Sequence, residues 1–443
     1  MEHAEVRRMP NAHIWPMSAS VIHDRLQIAG CDLSALAAEY GTPLYVLDAE
    51  TIRTIAMRYS AALRHAYGGP VSIHYASKAL LNVGVARLVH SLGLGLDVVS
   101  GGELAIAQRA GMPLDHIHLH GNGTPPAELA QAVEAGIGRI VVDNLDQLKF
   151  LAEFCANRAT PQTILLRIAP DVAAGAHAHI RTGAASAKFG LPLDDGSAAE
   201  AVRLALQAPG LNLVGLHAHI GSQMRDWAAL REMISRLLIF ADQQRRERGW
   251  LLTELSPGGG LAVAYMPNEQ AGDIETYANT IANAVRTGCE RYQIPLPKLI
   301  IEPGRSLVAR AGVAIYSVTG HKTVAGGSNY LHIDGGMGDN LRPSLYNAQY
   351  TAALVAGPLA PPIAPVQLAG RFCESGDVLI REVALPAAEV GELVAVPVAG
   401  AYTLSMASAY NGVPRPALLL LDQGQATLLQ RRETYADLMA RDI

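Results

Sequence analysis

Lys78, in YASKA (75–79), closes a short β-branched run, where a side chain sits half in and half out of a folded core. Partial burial of a lysine favours its neutral amine, the form that attacks an aldehyde to give a Schiff base. Three more strings follow in order: HAHIGSQ (217–223), EPGRS (302–306) and CESGD (373–377), with a GGG (258–260) between the first two. Gly258, Gly259 and Gly260 offer backbone N–H groups unobstructed by side chains. Ser222 can add a hydroxyl, and Arg305, just after Gly304, a cation, so together they can hold a phosphate. Glu302 is placed to face a pyridine nitrogen and keep it protonated, which makes the ring a better electron sink. His219 can stack on such a ring, and His217 points the same way by strand alternation. Cys373, among polar neighbours, can deliver a proton to a carbanion. Each residue has a plainer reading, such as a solvated lysine, an ordinary glycine turn or a Glu302–Arg305 salt bridge. In this order and company they meet the needs of pyridoxal 5'-phosphate (PLP).

Other residues complete the set. Arg342 and Tyr346, in DNLRPSLY (339–346), can hold a carboxylate, the arginine through its two-pronged fork. Glu374 can hold an ammonium, and Tyr402, in AGAYT (399–403), can reach cofactor or substrate. Asp97 and Arg167 close two further runs and either tune the lysine and cofactor or pair structurally. No metal is expected: the His217/His219 pair has no third ligand nearby in the sequence.

These residues need a scaffold. Between 71 and 304 eight short apolar or β-branched runs alternate with Ala/Leu-rich helical stretches: 71–78, 95–103, 116–122, 139–144, 164–171, 213–222, 252–260 and 298–304. Eight such units predict an α/β fold, a (β/α)8 TIM-like barrel, and the candidate residues fall at the C-terminal ends of its strands, where that fold carries its active sites. An open doubly wound sheet is the competitor, but no GxGxxG follows an early strand. After about 310 the texture becomes that of antiparallel strands with Gly/Pro turns, and GPLAPPIAP (357–365) reads as an extended connector. The expected division is 48–311 as barrel, 16–47 plus 312–431 as a C-terminal β-rich, β-barrel-like domain completing the active site, and 1–15 as a loosely held tail.

Composition sets bounds. The 443 residues are 50% hydrophobic and 17% charged, with 42 Gly and 25 Pro, a loop-rich globular balance. A net charge of −5 without a basic block argues against nucleic acid, and no apolar run approaches the ~20 residues of a membrane span. The N-terminus lacks an apolar signal core, so the chain is expected in the cytoplasm. Cys31, Cys155 and Cys289 read as small buried thiols.

With these motifs laid out, the chain resembles the diaminopimelate decarboxylases, PLP enzymes grouped with ornithine and arginine decarboxylases and sharing a barrel with alanine racemases. The likeness runs from GTPLYVLD (41–48) to YNGVPRPALLLL (410–421) and includes YASKA, GLDVVSGGEL, HIGSQ, GGGL, EPGRS, RPSLY, CESGD and GAYT. It implies a homodimer with active sites at the interface. By the resemblance Lys78 binds PLP, Glu302 faces the pyridine nitrogen, and Cys373 of one subunit serves the other's site as proton donor. Arg305, Arg342, Tyr346, Glu374 and Tyr402 become substrate contacts. Two stretches depart from the family pattern: HGNGT (120–124) where HGNNK is usual, and HAHI (177–180) where His-x-Tyr-Ile is usual.

The implied reaction turns meso-2,6-diaminopimelate into L-lysine and CO2, the last step of lysine biosynthesis. Its substrate carries a distal amino-acid head, which needs a cation for the carboxylate and an anion for the ammonium. Arg342, Arg305 and Glu374 meet that need. A diamine-forming decarboxylase has no use for the arginine, and a wrong substrate would leave it unpaired, roughly a hundredfold in selectivity. The alternatives are a decarboxylase of another basic amino acid or carboxylated polyamine (ornithine, arginine, carboxynorspermidine), a racemase-like enzyme, and a PLP carrier without turnover.

Overall fold

The computed structural model describes residues 6–172, 188–325, 327 and 329–443. The HAHI stretch at 177–180 lies outside them. The chain divides into two compact units, one of Ala56–Ala262 and Gly272–Gly304, the other of Met1–Ile55, Val263–Ala271 and Arg305–Ile443.

The first unit is the expected barrel. Its eight parallel strands are Val71–Ala76, Gly95–Val98, Ile117–Leu119, Arg139–Val142, Gln162–Ala169, Leu211–His217, Glu254–Ser256 and Lys298–Ile301. Each pairs with its neighbour in order, except that the ring closes between the eighth and first, where Leu299 stands opposite Val71. Their burial is nearly continuous, as strands covered on both faces require. Helices begin promptly after the strands because a side chain caps them. Asn82, Ser100, Asn144, Asp226 and Asp273 each accept a backbone N–H from the first turn that follows. Helix Trp227–Arg248 buries Leu230, Met233, Ile234, Leu237 and Leu238, each burial contributing about 1.5–3 kcal/mol, and ends on Arg245, Arg246 and Arg248, which suit its C-terminal dipole. At the N-terminal end of the barrel Arg139 grips Glu254 through two nitrogens at 2.9 and 2.7 Å, a stabilising pair at the end opposite the chemistry.

The second unit is β-rich. Its central strand, Gly312–Thr323, runs antiparallel to Leu44–Asp48, Asn329–Ile333 and Leu393–Pro397. Two pairings are parallel rather than antiparallel: Leu44–Asp48 with Ala417–Asp422, and Asn329–Ile333 with Ala364–Ala369. Their partners arrive from distant parts of the chain rather than through hairpins, so no tight turn imposes direction. The proline-rich connector is only partly extended, since Gly357–Ala360 forms a turn and its last residues join strand Ala364–Ala369. In the described part of the expected loose tail, residues 6–15, the C-terminal end is held in place. Ile14 and Trp15 are buried, and Arg310 donates to the carbonyls of Trp15 and Ala12 at 2.7 and 2.9 Å. A large aromatic ring has more to gain in a core than in water, and it anchors the segment.

Candidate active site

In the barrel unit the strand ends gather ionisable groups. The first strand stops at Ala76, and Lys78 stands in the single 3-10 turn Ser77–Ala79 beyond it. Lys78 is exposed rather than partly buried, because this turn carries it past the last strand residue while Ser77 and Ala79 on either side face inward. Asp97, on the second strand, is buried, with His120 Nε2 3.4 Å and His118 Nδ1 4.0 Å from its Oδ1. Burial, and next the charge of Glu302, pushes the Asp97 carboxyl well above its ordinary range, while Lys78 draws it down. Arg167 finds Asp143 at 3.7 Å and lies over the Phe189 ring at 4.4 Å.

Glu302 is the centre of this cluster. It is buried just past the eighth strand, and both carboxylate oxygens are engaged: Ser256 donates to Oε1 at 2.5 Å, and His217 Nε2 lies 3.0 Å from Oε2. Burial opposes its charge. His217 and His120, with the hydrogen bonds from His217 and Ser256, outweigh that and hold it well below the usual carboxylate range. His217 is pushed down to about 4, by burial first, so it is neutral near pH 7. His219 is half-buried and also held well below its ordinary value by burial. Of the pair only His217 enters a group whose ligand atoms converge, and His219 enters none among the described residues. Ligand atoms of His120, His217 and Glu302 lie within 4.8 Å of one another, as do those of His74, Asp97 and His118. In the first group the His217–Glu302 hydrogen bond engages two of the ligand atoms, and in the second the His74 and His118 rings stack at 3.7 Å.

The glycine turn passes a geometric test for a phosphate cradle. Gly258 and Gly260 have φ of +73° and +106°, and a Cβ on Gly259 would stand 2.0 Å from the Glu302 carbonyl. No side chain fits at these positions, but of the three amides expected to be on offer that of Gly258 is taken, donating to Ser256 Oγ at 3.1 Å. The Ser222 loop is laced to it, Met224 donating to the Gly260 carbonyl at 2.8 Å. Ser222 is half-buried and Gly304 buried.

The β-rich unit holds a second group. Arg305 Nη1 donates to Tyr265 Oη at 2.6 Å and its guanidinium lies 4.6 Å from the Tyr402 ring centre. Arg342 is buried, donates to Tyr350 Oη at 2.5 Å, and lies 4.4 Å from the Tyr265 ring centre. Tyr346 ends the same short helix, Arg342–Tyr346, half-buried. Cys373 and Glu374 are exposed in a loop pinned by Asp377, which accepts from the amides of Phe372 and Met337 at 2.8 and 2.7 Å. Asn411 Oδ1 accepts from the Cys373 amide at 2.9 Å, and Tyr410 Oη lies 2.8 Å from Glu374 Oε1. Cys31, Cys155 and Cys289 are buried thiols as expected.

Sequence reasoning missed His120, Asp143, Ser256, Tyr265, Tyr350 and Tyr410. His120 was readable: HLHGN alternates two histidines on the third strand, as HAH does on the sixth. Tyr265 carries no local signal.

The fold makes the chain one of the β/α-barrel enzymes, and comparison with known families says which. The family described as "Pyridoxal-dependent decarboxylase, pyridoxal binding domain" matches residues 52–309, and the chain belongs to these decarboxylases, with PLP as cofactor. Within them, its near-full-length relatives are diaminopimelate decarboxylases. That of Bacillus subtilis (strain 168) is 41% identical over 421 residues, covering 95% of this chain and 96% of the relative. That of Synechocystis sp. is 40% identical, covering 98% and 93%. The solved diaminopimelate decarboxylase from M. jannaschii in co-complex with L-lysine matches with a TM-score of 0.89 and 34% identity, covering 98% of this chain and 99% of that one.

Proposed function

We infer that this chain removes CO2 from meso-2,6-diaminopimelate and releases L-lysine, the last step of lysine biosynthesis. The observation that carries the substrate is Arg342: a buried guanidinium whose Nε has no partner among the described residues and which pairs with no acid there. A buried cation without an anion is costly unless a ligand supplies one. The full-length relatives of the same name support the reading.

PLP, when bound, supplies an aldehyde for the substrate amine and a ring that takes up the electrons left as CO2 departs. Lys78 is the residue that holds the aldehyde carbon between turnovers. Gly259, Gly260, Gly304, Ser222 and Arg305 would hold the phosphate, and His219 would lie against the ring. Glu302 keeps a proton on the pyridine nitrogen; its two hydrogen bonds leave it ionised for that purpose. Arg342, Arg305, Tyr346 and Tyr402 bind the substrate's distal carboxylate, Glu374 its distal ammonium. Cys373 places a proton on the carbon that loses CO2.

Residues 48–311 are read as the PLP-binding domain, and 16–47 with 312–431 as the part that completes the active site. The enzyme is read as a homodimer in which Cys373 and Glu374 serve the partner's barrel; their exposure in the single chain supports this. Four unpaired cysteines support a reducing, cytoplasmic setting. Among the described residues no helix is long and apolar enough to cross a membrane.

The test is CO2 release by PLP-loaded protein offered meso-diaminopimelate, L-ornithine, L-arginine and L-lysine separately. CO2 with lysine from diaminopimelate alone is expected. Release from ornithine or arginine in its place would keep fold and cofactor and overturn the substrate.

A further inference from the structure

Ser256 ends the seventh barrel strand, two residues before the glycine turn, and is 1% exposed. Its hydroxyl oxygen accepts the Gly258 N–H at 3.1 Å and donates its one proton to Glu302 Oε1 at 2.5 Å. The circuit closes through the backbone, since the Glu302 N–H donates to the Gly258 carbonyl at 3.0 Å. Three hydrogen bonds therefore join one serine, one glycine and one glutamate in a ring spanning the ends of two adjacent strands. Pro257, between Ser256 and Gly258, has no N–H to compete for the hydroxyl. With the Gly258 N–H on one lone pair, the hydroxyl's single proton goes to Glu302 Oε1, and His217 holds the other oxygen. The carboxylate cannot rotate without breaking one bond or the other.

We propose that Ser256 is a positioning residue that couples the glycine turn to Glu302, so that the phosphate cradle and the carboxylate for the ring nitrogen are held in one fixed spacing. This rests on the reading of Glu302 as the group facing that nitrogen. A hydrogen bond from a buried hydroxyl to a carboxylate is charge-assisted and stronger than a neutral one, and removing its donor leaves the acceptor short.

In Ser256→Ala, apoprotein titrated with PLP and followed by cofactor absorbance should bind it roughly tenfold more weakly. The PLP-saturated enzyme should lose about tenfold in kcat while KM for diaminopimelate moves less than about threefold, because the distal head is held elsewhere. Ser256→Cys keeps the side-chain volume with a weak donor and should behave like the alanine variant; it also carries the test if the alanine variant does not fold. A cysteine variant with wild-type PLP affinity and kcat assigns the effect to packing and overturns the proposal, as does a folded alanine variant unchanged in both. Glu302→Gln is measured alongside. If it too binds and turns over as wild type, the reading of Glu302 has failed. If it is crippled while Ser256→Ala is normal, only the role of Ser256 falls.

Discussion

The guanidinium carbon of Arg342 lies 4.4 Å from the ring centre of Tyr265, and no carboxylate among the described residues pairs with it. Cation–π contact and the Tyr350 hydroxyl make the charge tolerable without neutralising it. A group kept for folding and one kept for a ligand respond oppositely to substitution. Arg342→Met should leave the melting temperature within about 3 °C of wild type or raise it, since an apolar chain replaces an unpaired charge. The same variant should lose about a hundredfold in kcat/KM for diaminopimelate. A large drop in melting temperature with modest kinetic loss would make Arg342 structural.

The proposed sharing of the active site between two subunits makes a prediction about mixtures. Lys78→Ala and Cys373→Ala should each be inactive alone. Dissociated and reassociated together, they form mixed dimers with one intact site, so about a quarter of wild-type activity should return at equal mixing. No recovery, with subunit exchange shown by mass spectrometry, would place Lys78 and Cys373 of one site on the same chain.

The barrel should be acid-sensitive. His74 is pushed down to about 3 and His120 and His217 to about 4, burial being the largest cause in each. The unfolded chain takes up these protons near pH 6.5 and the folded chain does not, so stability is full above 6.5 and falls as pH drops toward 4. The slope is about 1.4 kcal/mol per pH unit for each excess proton. In the barrel Asp97 and Glu103, raised by burial, work the other way but are outnumbered by these three with His118 and His219, lowered too; in the β-rich unit Asp334, Asp377 and Asp339, the last raised to about 6, oppose the trend. Urea midpoints at pH 7, 6 and 5 should fall progressively, and His74→Asn should flatten the trend. A flat profile between 6.5 and 4.5 would contradict it.

Tyr410 holds Glu374 by one hydrogen bond and stacks 6.2 Å from Phe372. Tyr410→Phe keeps the stack and drops the bond. KM for diaminopimelate should rise roughly two- to fivefold with kcat unchanged. An unchanged KM would remove Glu374 from the ammonium-binding role or Tyr410 from its support.

The order of chemistry along the chain, and the scaffold for it, were legible without coordinates. Eight apolar runs alternating with helical stretches fit a closed barrel, and strand polarity then sends Lys78, His219, Gly259 and Glu302 to one rim. Residue type told what each could do. Partner choice was decided in three dimensions. Glu302 meets His217 and Ser256 across 85 and 46 residues, and Arg305 meets Tyr265 across 40, through contacts that leave no local pattern because neither periodicity nor capping depends on them. Ser256, a small polar residue before a proline, reads locally as the start of a turn. Only the parallel pairing of the seventh and eighth strands turns that hydroxyl toward a buried carboxylate, which cannot keep its charge away from water without donors.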